Sequence, residues 1–163
     1  MTITDTQIND KYLTGVNRLL LEHDRAKLPL FVENIKNNPN YMMIDPEWSS
    51  SWDEVTQSRL IESLIINIPV TPIIVYEKSY ENYEVIDGRE RLKTIVDFYS
   101  DRLTLTELEV ETGLEDCTYS TLPNSIRQRL DKRSLDFINC MPAFDNQSES
   151  EIKRLIGVVK ERL

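Results

Sequence analysis

Between Ile73 and Tyr99 the spacing of apolar residues changes period, and this change constrains the fold more than any other feature of the chain. Ile73-Ile74-Val75-Tyr76 is a β-branched run closed by an aromatic residue, and polar residues from Lys78 to Asn82 separate it from a second run, Tyr83-Glu84-Val85-Ile86. After Ile86 the apolar residues fall at Leu92, Ile95, Val96 and Tyr99, which is i, i+3, i+4, i+7 spacing. The pattern predicts two strands joined by a short turn, a tight Asp87-Gly88 turn, and then a helix.

Other segments give less sharp signals. Trp52, Val55, Ile61, Leu64, Ile65 and Ile68 predict a helix over Asp53 to Asn67, which Pro69 and Pro72 terminate. Upstream, Lys11 to Arg25 reads as a short docking helix carrying Leu13, Val16, Leu19, Leu20 and Leu21. A second short helix starts at Pro29 and stops near Asn37-Asn38-Pro39-Asn40, and a brief strand follows over Tyr41-Met42-Met43-Ile44. Downstream, the acidic stretch Leu103 to Cys117 contains a short helical turn, Leu122 to Leu130 is helical and Leu135 to Ile138 is a strand. A polar Asp145-Asn146-Gln147-Ser148 linker leads to a last helix, Glu149 to Leu163, with Ile152, Leu155, Ile156 and Val159 on one stripe. The expected class is α+β, with a small mixed or antiparallel sheet and flanking helices. The expected division is a helical appendage over residues 1–40, a central domain over 41–140, and a linker with an amphipathic helix over 141–163.

With 163 residues, 40% of them hydrophobic, the chain can bury one sizeable core. Its formal net charge of -9 repels polyanions, so direct DNA binding is not expected and any phosphate site must be local. The small basic stretch of Arg127, Arg129, Lys132 and Arg133 reads as a solvated helix surface. No apolar run approaches the ~20 residues that span a bilayer, and the first residues lack the pattern of an export signal, so a cytoplasmic protein without membrane contact is expected. Cys117 and Cys140 lie far apart, away from the single histidine, His23, and are read as structural thiols with no metal site. The chain ends at Glu161-Arg162-Leu163 within the last helical stripe, which points to a longer protein.

One motif carries chemistry. A helix that begins just after a strand leaves its first backbone N–H groups without partners, and these groups with the helix dipole attract an anion. Gly88 lets the backbone approach a ligand, and the guanidinium groups of Arg89 and Arg91 can clamp phosphate oxygens in bidentate fashion. The plainer alternative makes Asp87 the N-cap and Glu90 its capping-box partner, with the arginines as ordinary surface charges. Arg59, on the preceding helix, is a further candidate for a phosphate contact. Trp48 and Trp52 are aromatic faces for a base, with a packing role favoured for Trp52.

Several of these residues fall in a recognisable order. The run Trp52-x4-Gln57-Ser58-Arg59-Leu60-Ile61, then Asn67-Ile68-Pro69-Val70-Thr71-Pro72-Ile73, then Tyr83 through Leu92, resembles the N-terminal domain family of GmrSD-type restriction enzymes, related to ParB and sulfiredoxin. The likeness is close from Trp52 to Tyr99 and weaker to Leu135. It implies a ParB/sulfiredoxin-like domain whose D-G-x-x-R segment binds a nucleoside triphosphate with Mg²⁺ and, in active members, hydrolyses it to gate a DNA-cutting domain in phage defence. Asp87, Gly88 and Arg91 match the family's D-G-Q-Q-R signature, while Arg89 and Glu90 replace its two glutamines.

On this resemblance Asp87 and Glu90 are the candidate catalytic residues, Glu90 acting on Mg²⁺ or on water. Gly88, Arg89, Arg91 and Arg59 are the candidate phosphate contacts. Gly-Arg-Glu-Arg is also similar to the G-E-R-R box with which ParB proteins hold CTP. The chain departs from the family where a Gln-Arg pair is expected before Trp52, reading Asp45-Pro46-Glu47-Trp48-Ser49 instead, and in lacking a downstream F-x-R-x-N segment. No nuclease motif is present, so a partner protein or another domain would cut DNA. The alternatives are an interaction module of the same fold without catalysis, and a ParB-like protein that contacts DNA.

Overall fold

The computed structural model describes residues 3–13, 18–38, 41–42, 49–143 and 147–163. In chain order the elements are α1 (Asp5–Leu13), β1 (Leu19–Lys27), α2 (Leu28–Asn37), α3 (Glu54–Ile66), β2 (Ile73–Ser79), β3 (Asn82–Asp87), α4 (Arg89–Tyr99), a 3₁₀ turn (Thr112–Leu114), α5 (Asn124–Asp131), β4 (Ser134–Pro142) and α6 (Glu149–Arg162). The class is α+β, as expected. The four strands form one mixed sheet in the order β1-β4-β2-β3, in which β2 and β4 run parallel and the other two pairs antiparallel.

The helix ends follow from local chemistry. Asp53 caps α3 by accepting from the Thr56 amide at 2.8 Å, and Asn67 closes it in the left-handed conformation at φ 65°. Pro29 opens α2, where a missing N–H costs nothing. Ser148 and Glu151 form a reciprocal capping box at the start of α6. Between β2 and β3 the chain turns at Tyr80 and Glu81, with Glu81 at φ 55°.

One face of the sheet carries the main core. Ile73 and Val75 of β2 and Leu135 and Phe137 of β4 meet Phe31 of α2, Ile61 of α3 and Leu92, Ile95 and Phe98 of α4, all buried. The long connection from α4 to α5 lies over this layer and adds Leu105, Leu108 and Leu114. Two side chains of α3 hold it there. The buried Ser58 Oγ accepts from the Thr106 amide at 3.1 Å, and the Glu62 carboxylate accepts from the amides of Glu109, Val110 and Glu111 at 2.7–3.2 Å. On the other face α6 lays Ile152 and Ile156 against Cys140, Ile74, Tyr76 and Ile86 as a smaller cluster. Both cysteines are free thiols, Cys140 in this cluster and Cys117 beside the main core.

Two expectations need correction. Leu19 to Arg25 is an edge strand and not part of a docking helix: β1 pairs with β4 over its whole length, from Leu19 opposite Pro142 to Lys27 opposite Ser134. The helical part of that region lies earlier, at Asp5–Leu13. Tyr41 and Met42 sit in a bend rather than a strand, with the Tyr41 carbonyl accepting from the Tyr83 amide at 3.1 Å, while residues 43–44 of the expected strand lie outside the described residues. Residues 1–40 therefore contribute β1 to the sheet and α2 to the core. No helix among the described residues is long and apolar enough to cross a membrane.

Candidate functional site

The Asp87–Arg91 segment sits where β3 hands over to α4, at the junction the change in apolar period predicts. Gly88 is the N-cap of α4 at φ 104°, a left-handed conformation that side chains rarely adopt. It is also packed from both sides. A Cβ there would lie 2.4 Å from Ile73 Cδ1 and 3.0 Å from Arg91 Nη2. Gly88 is thus demanded by the backbone and by the core beneath it, whether or not a ligand approaches.

No side chain caps the N-terminus of α4. The plainer alternative of an Asp87 cap with a Glu90 partner is therefore not how this helix starts. Asp87 Oδ2 instead accepts from Arg91 Nη2 at 3.0 Å, one helical turn on. The same Nη2 donates to the Pro72 carbonyl at 3.1 Å, which ties the first turn of α4 to the entrance of β2. The Arg91 side chain is 15% exposed, and its Nε is buried without a hydrogen-bond partner. A buried donor without an acceptor costs about 1–3 kcal/mol, and Asn82 Oδ1, Thr94 Oγ1 and Ser100 Oγ are the other buried side-chain atoms without a partner among the described residues.

Glu90 points back to the residues that precede α3. Its carboxylate accepts from Ser50 Oγ, from Ser51 Oγ and from the Ser51 amide at 3.0 Å. Burial pushes its pKa up, but the serine hydroxyls and the Ser51 and Trp52 amides outweigh burial and hold the group below the ordinary glutamate value. The side chain is therefore ionised at neutral pH and fastens residues 50–52 to the start of α4. Trp52 is half-buried, and its carbonyl accepts from Gln57 Nε2 at 2.9 Å. Trp48 lies outside the described residues.

Arg89 is exposed in the first turn of α4, on the same helix end as Arg91. Arg59 belongs to a different cluster: its Nη2 pairs with Glu109 at 2.8 Å, beside the loop that Glu62 holds. The fold thus brings Asp87, Gly88, Arg89, Glu90 and Arg91 to one helix terminus and directs Arg59 to the 109–111 loop. Three participants are not legible in the sequence. Ser50 and Ser51 reach Glu90 across 39–40 residues of chain, and the Pro72 carbonyl serves Arg91 as a backbone acceptor with no side-chain signature.

No curated protein and no solved structure matches the chain. The family model for the GmrSD restriction endonuclease N-terminal domain matches residues 48–162, a span that runs from just before α3 to the end of α6 and contains the whole β3–α4 junction. The chain belongs to the family of GmrSD restriction endonuclease N-terminal domains.

Proposed function

We propose that the chain is a nucleotide-binding regulatory domain of a restriction system, with a nucleoside triphosphate held by its phosphates at the N-terminus of α4. The observation that carries this reading is Arg91 Nε, a buried donor without a partner in the first turn of a helix that no side chain caps. A phosphate oxygen supplies the acceptor that this donor lacks. Arg89 brings a second guanidinium to the same turn.

Among the two carboxylates, Asp87 is 45% exposed and suits contact with a Mg²⁺ ion bound to the phosphates. That ion would neutralise charge on the phosphoryl oxygens. Glu90, occupied by Ser50 and Ser51 and held below its usual pKa, suits a positioning role better than that of a proton acceptor. Nucleotide binding is therefore proposed ahead of hydrolysis, and the nuclease that such binding would gate lies in another domain or a partner protein.

Calorimetric titration of ATP, GTP and CTP with Mg²⁺ tests the proposal, beside Arg89→Ala. That variant is preferable to Arg91→Ala because Arg89 is exposed, whereas the Arg91 side chain is mostly buried. Binding that weakens by about tenfold or more in folded Arg89→Ala supports a phosphate cradle. Absence of heat for every nucleotide sinks it.

A second reading has its own observation. Asp87, Glu90 and Arg91 all make internal contacts, so the signature also works as a bolt between α4, β2 and the approach to α3. On that reading the domain is an interaction module without catalysis, and a folded protein that ignores nucleotides but retains a partner protein through purification would favour it.

A further inference from the structure

Resting on the proposed phosphate site, we propose that the nucleoside of the bound nucleotide lies across the open half of the outer sheet face, with its base at the β1 edge between His23 and Arg25. α6 covers only part of that face, where Cys140, Leu19, Ile74, Tyr76 and Ile86 lie. Beyond it the sheet carries a shallow cleft lined by His23, Asp24, Arg25, Pro72, Asp136, Phe137 and Ile138.

The strand register shows how this cleft reaches the phosphate end. His23 stands opposite Ile138, and Ile138 stands beside Ile74 of β2. One row thus runs from the free edge of β1 over Ile138 to Ile74, which is partly covered by α6 and stands opposite Asp87 of β3. On the next row Arg25 faces Asp136, and their side chains are joined at 2.7 Å. Pro72 also lines the cleft, and its carbonyl is the one that holds Arg91 Nη2 at 3.1 Å. The cleft and the α4 terminus therefore share a residue.

Size and chemistry both fit one occupant. Strands lie about 4.8 Å apart, so β1 and β3 are separated by about 14 Å across the sheet, a span that an extended nucleoside triphosphate covers. Ile138 and Pro72 give an apolar floor for a flat ring. The imidazole of His23 and the planar Arg25–Asp136 pair give stacking surfaces and hydrogen-bonding groups at its edge.

His23 is the only histidine in the chain, so its ring resonance in a proton spectrum is a single unambiguous reporter. The experiment titrates ATP, GTP, CTP, UTP and inorganic tripolyphosphate, each with Mg²⁺, into the full chain and into Ile138→Asp and Arg25→Ser. The expected result is that at least one nucleotide shifts the His23 resonance while tripolyphosphate binds without shifting it. Ile138→Asp should weaken that nucleotide by about tenfold and leave tripolyphosphate unchanged, with Arg25→Ser in the same direction. Equal affinity for nucleotide and tripolyphosphate with a silent His23 would overturn the nucleoside site and leave the phosphate cradle standing. Failure of tripolyphosphate and every nucleotide to bind would remove the cradle and the nucleoside site together. Nucleotide binding that shifts His23 but survives both substitutions unchanged would also count against the site, since the cleft would then contribute nothing to affinity.

Discussion

Gly88→Ala should be among the most damaging single-methyl additions available in this domain. The new Cβ meets Ile73 Cδ1 at 2.4 Å, inside the fully buried core, and the backbone must hold an L-residue at φ 104°. An L-residue in such a conformation costs about 1–3 kcal/mol. Overpacking a close-packed core costs a further ~1–3 kcal/mol. The sum is about 2–6 kcal/mol, a large share of the roughly 5–15 kcal/mol that stabilises a typical domain. Urea denaturation followed by circular dichroism reads this as a midpoint lowered by about 1 M or more with an unchanged slope. Ile73→Val separates the two causes because it deletes Cδ1, at its own cost of about 0.5–1.5 kcal/mol. In that background Gly88→Ala should cost only the backbone part. Equal costs in the two backgrounds would refute the steric argument, and a cost under about 0.5 kcal/mol in the wild-type background would refute both parts.

Glu62→Gln should destabilise by about 1–3 kcal/mol in the same assay, because three loop amides lose a charged acceptor. Stability should also fall in acid. Burial raises the pKa of Glu62 and of Glu90, but hydrogen bonds outweigh it and the folded values lie below the ordinary 4.5. Their contribution is thus fully present above pH 4.5 and is lost as the pH drops through the folded values, with a shallower fall in Glu62→Gln. Cys140, 3% exposed beneath α6, should react slowly with a thiol reagent while half-buried Cys117 reacts faster. Ile156→Asp should unmask Cys140 selectively, and equal rates in both proteins would mean that α6 does not shield it.

Where the sequence spoke clearly, two independent signals coincided. α3 has both a helical apolar period and end residues, Asp53 and Asn67, that act as caps in the structure. The β3–α4 junction has a change of period at a glycine that adopts positive φ. β1 offers neither signal. Seven of its nine residues are exposed, at positions pointing to either face, so no two-residue alternation marks it and Leu19-Leu20-Leu21 reads equally well as helix. It is a strand because β4 supplies its hydrogen bonds, and that information lies more than 100 residues away.

The candidate site shows the same division. The position of Asp87 to Arg91 on a strand-to-helix turn was legible because it depends on local period and on Gly88. The partners were not. Arg91 meets a backbone carbonyl, and Glu90 meets serines that only the packing of α3 against α4 brings near. Arg59 looked close to the site because α3 precedes it in sequence, yet its side of the helix faces Glu109. Helical periodicity says which residues share a face but not which neighbour that face meets.

The charges at the α4 terminus set the conditions for the proposed nucleotide binding. Arg89 and Arg91 are matched in number by Asp87 and Glu90, and Asp87 already pairs with Arg91. The Glu90 carboxylate, ionised at neutral pH, also lies in the first turn, where it offsets part of the positive end of the helix dipole. A triphosphate arriving without a cation therefore meets little net positive charge, and the backbone amides and Arg91 Nε must hold it against repulsion from Glu90. Binding should depend on Mg²⁺ for this reason. Chelation of the metal should weaken affinity by at least about tenfold, equivalent to 1.4 kcal/mol. Glu90→Gln should narrow that gap by strengthening the metal-free complex, provided the variant's fold is confirmed first, since the same carboxylate anchors Ser50 and Ser51. Equal affinities with and without Mg²⁺ would mean that the amides and guanidinium groups hold the phosphates unaided, and that Glu90 lies too far from them for its charge to matter.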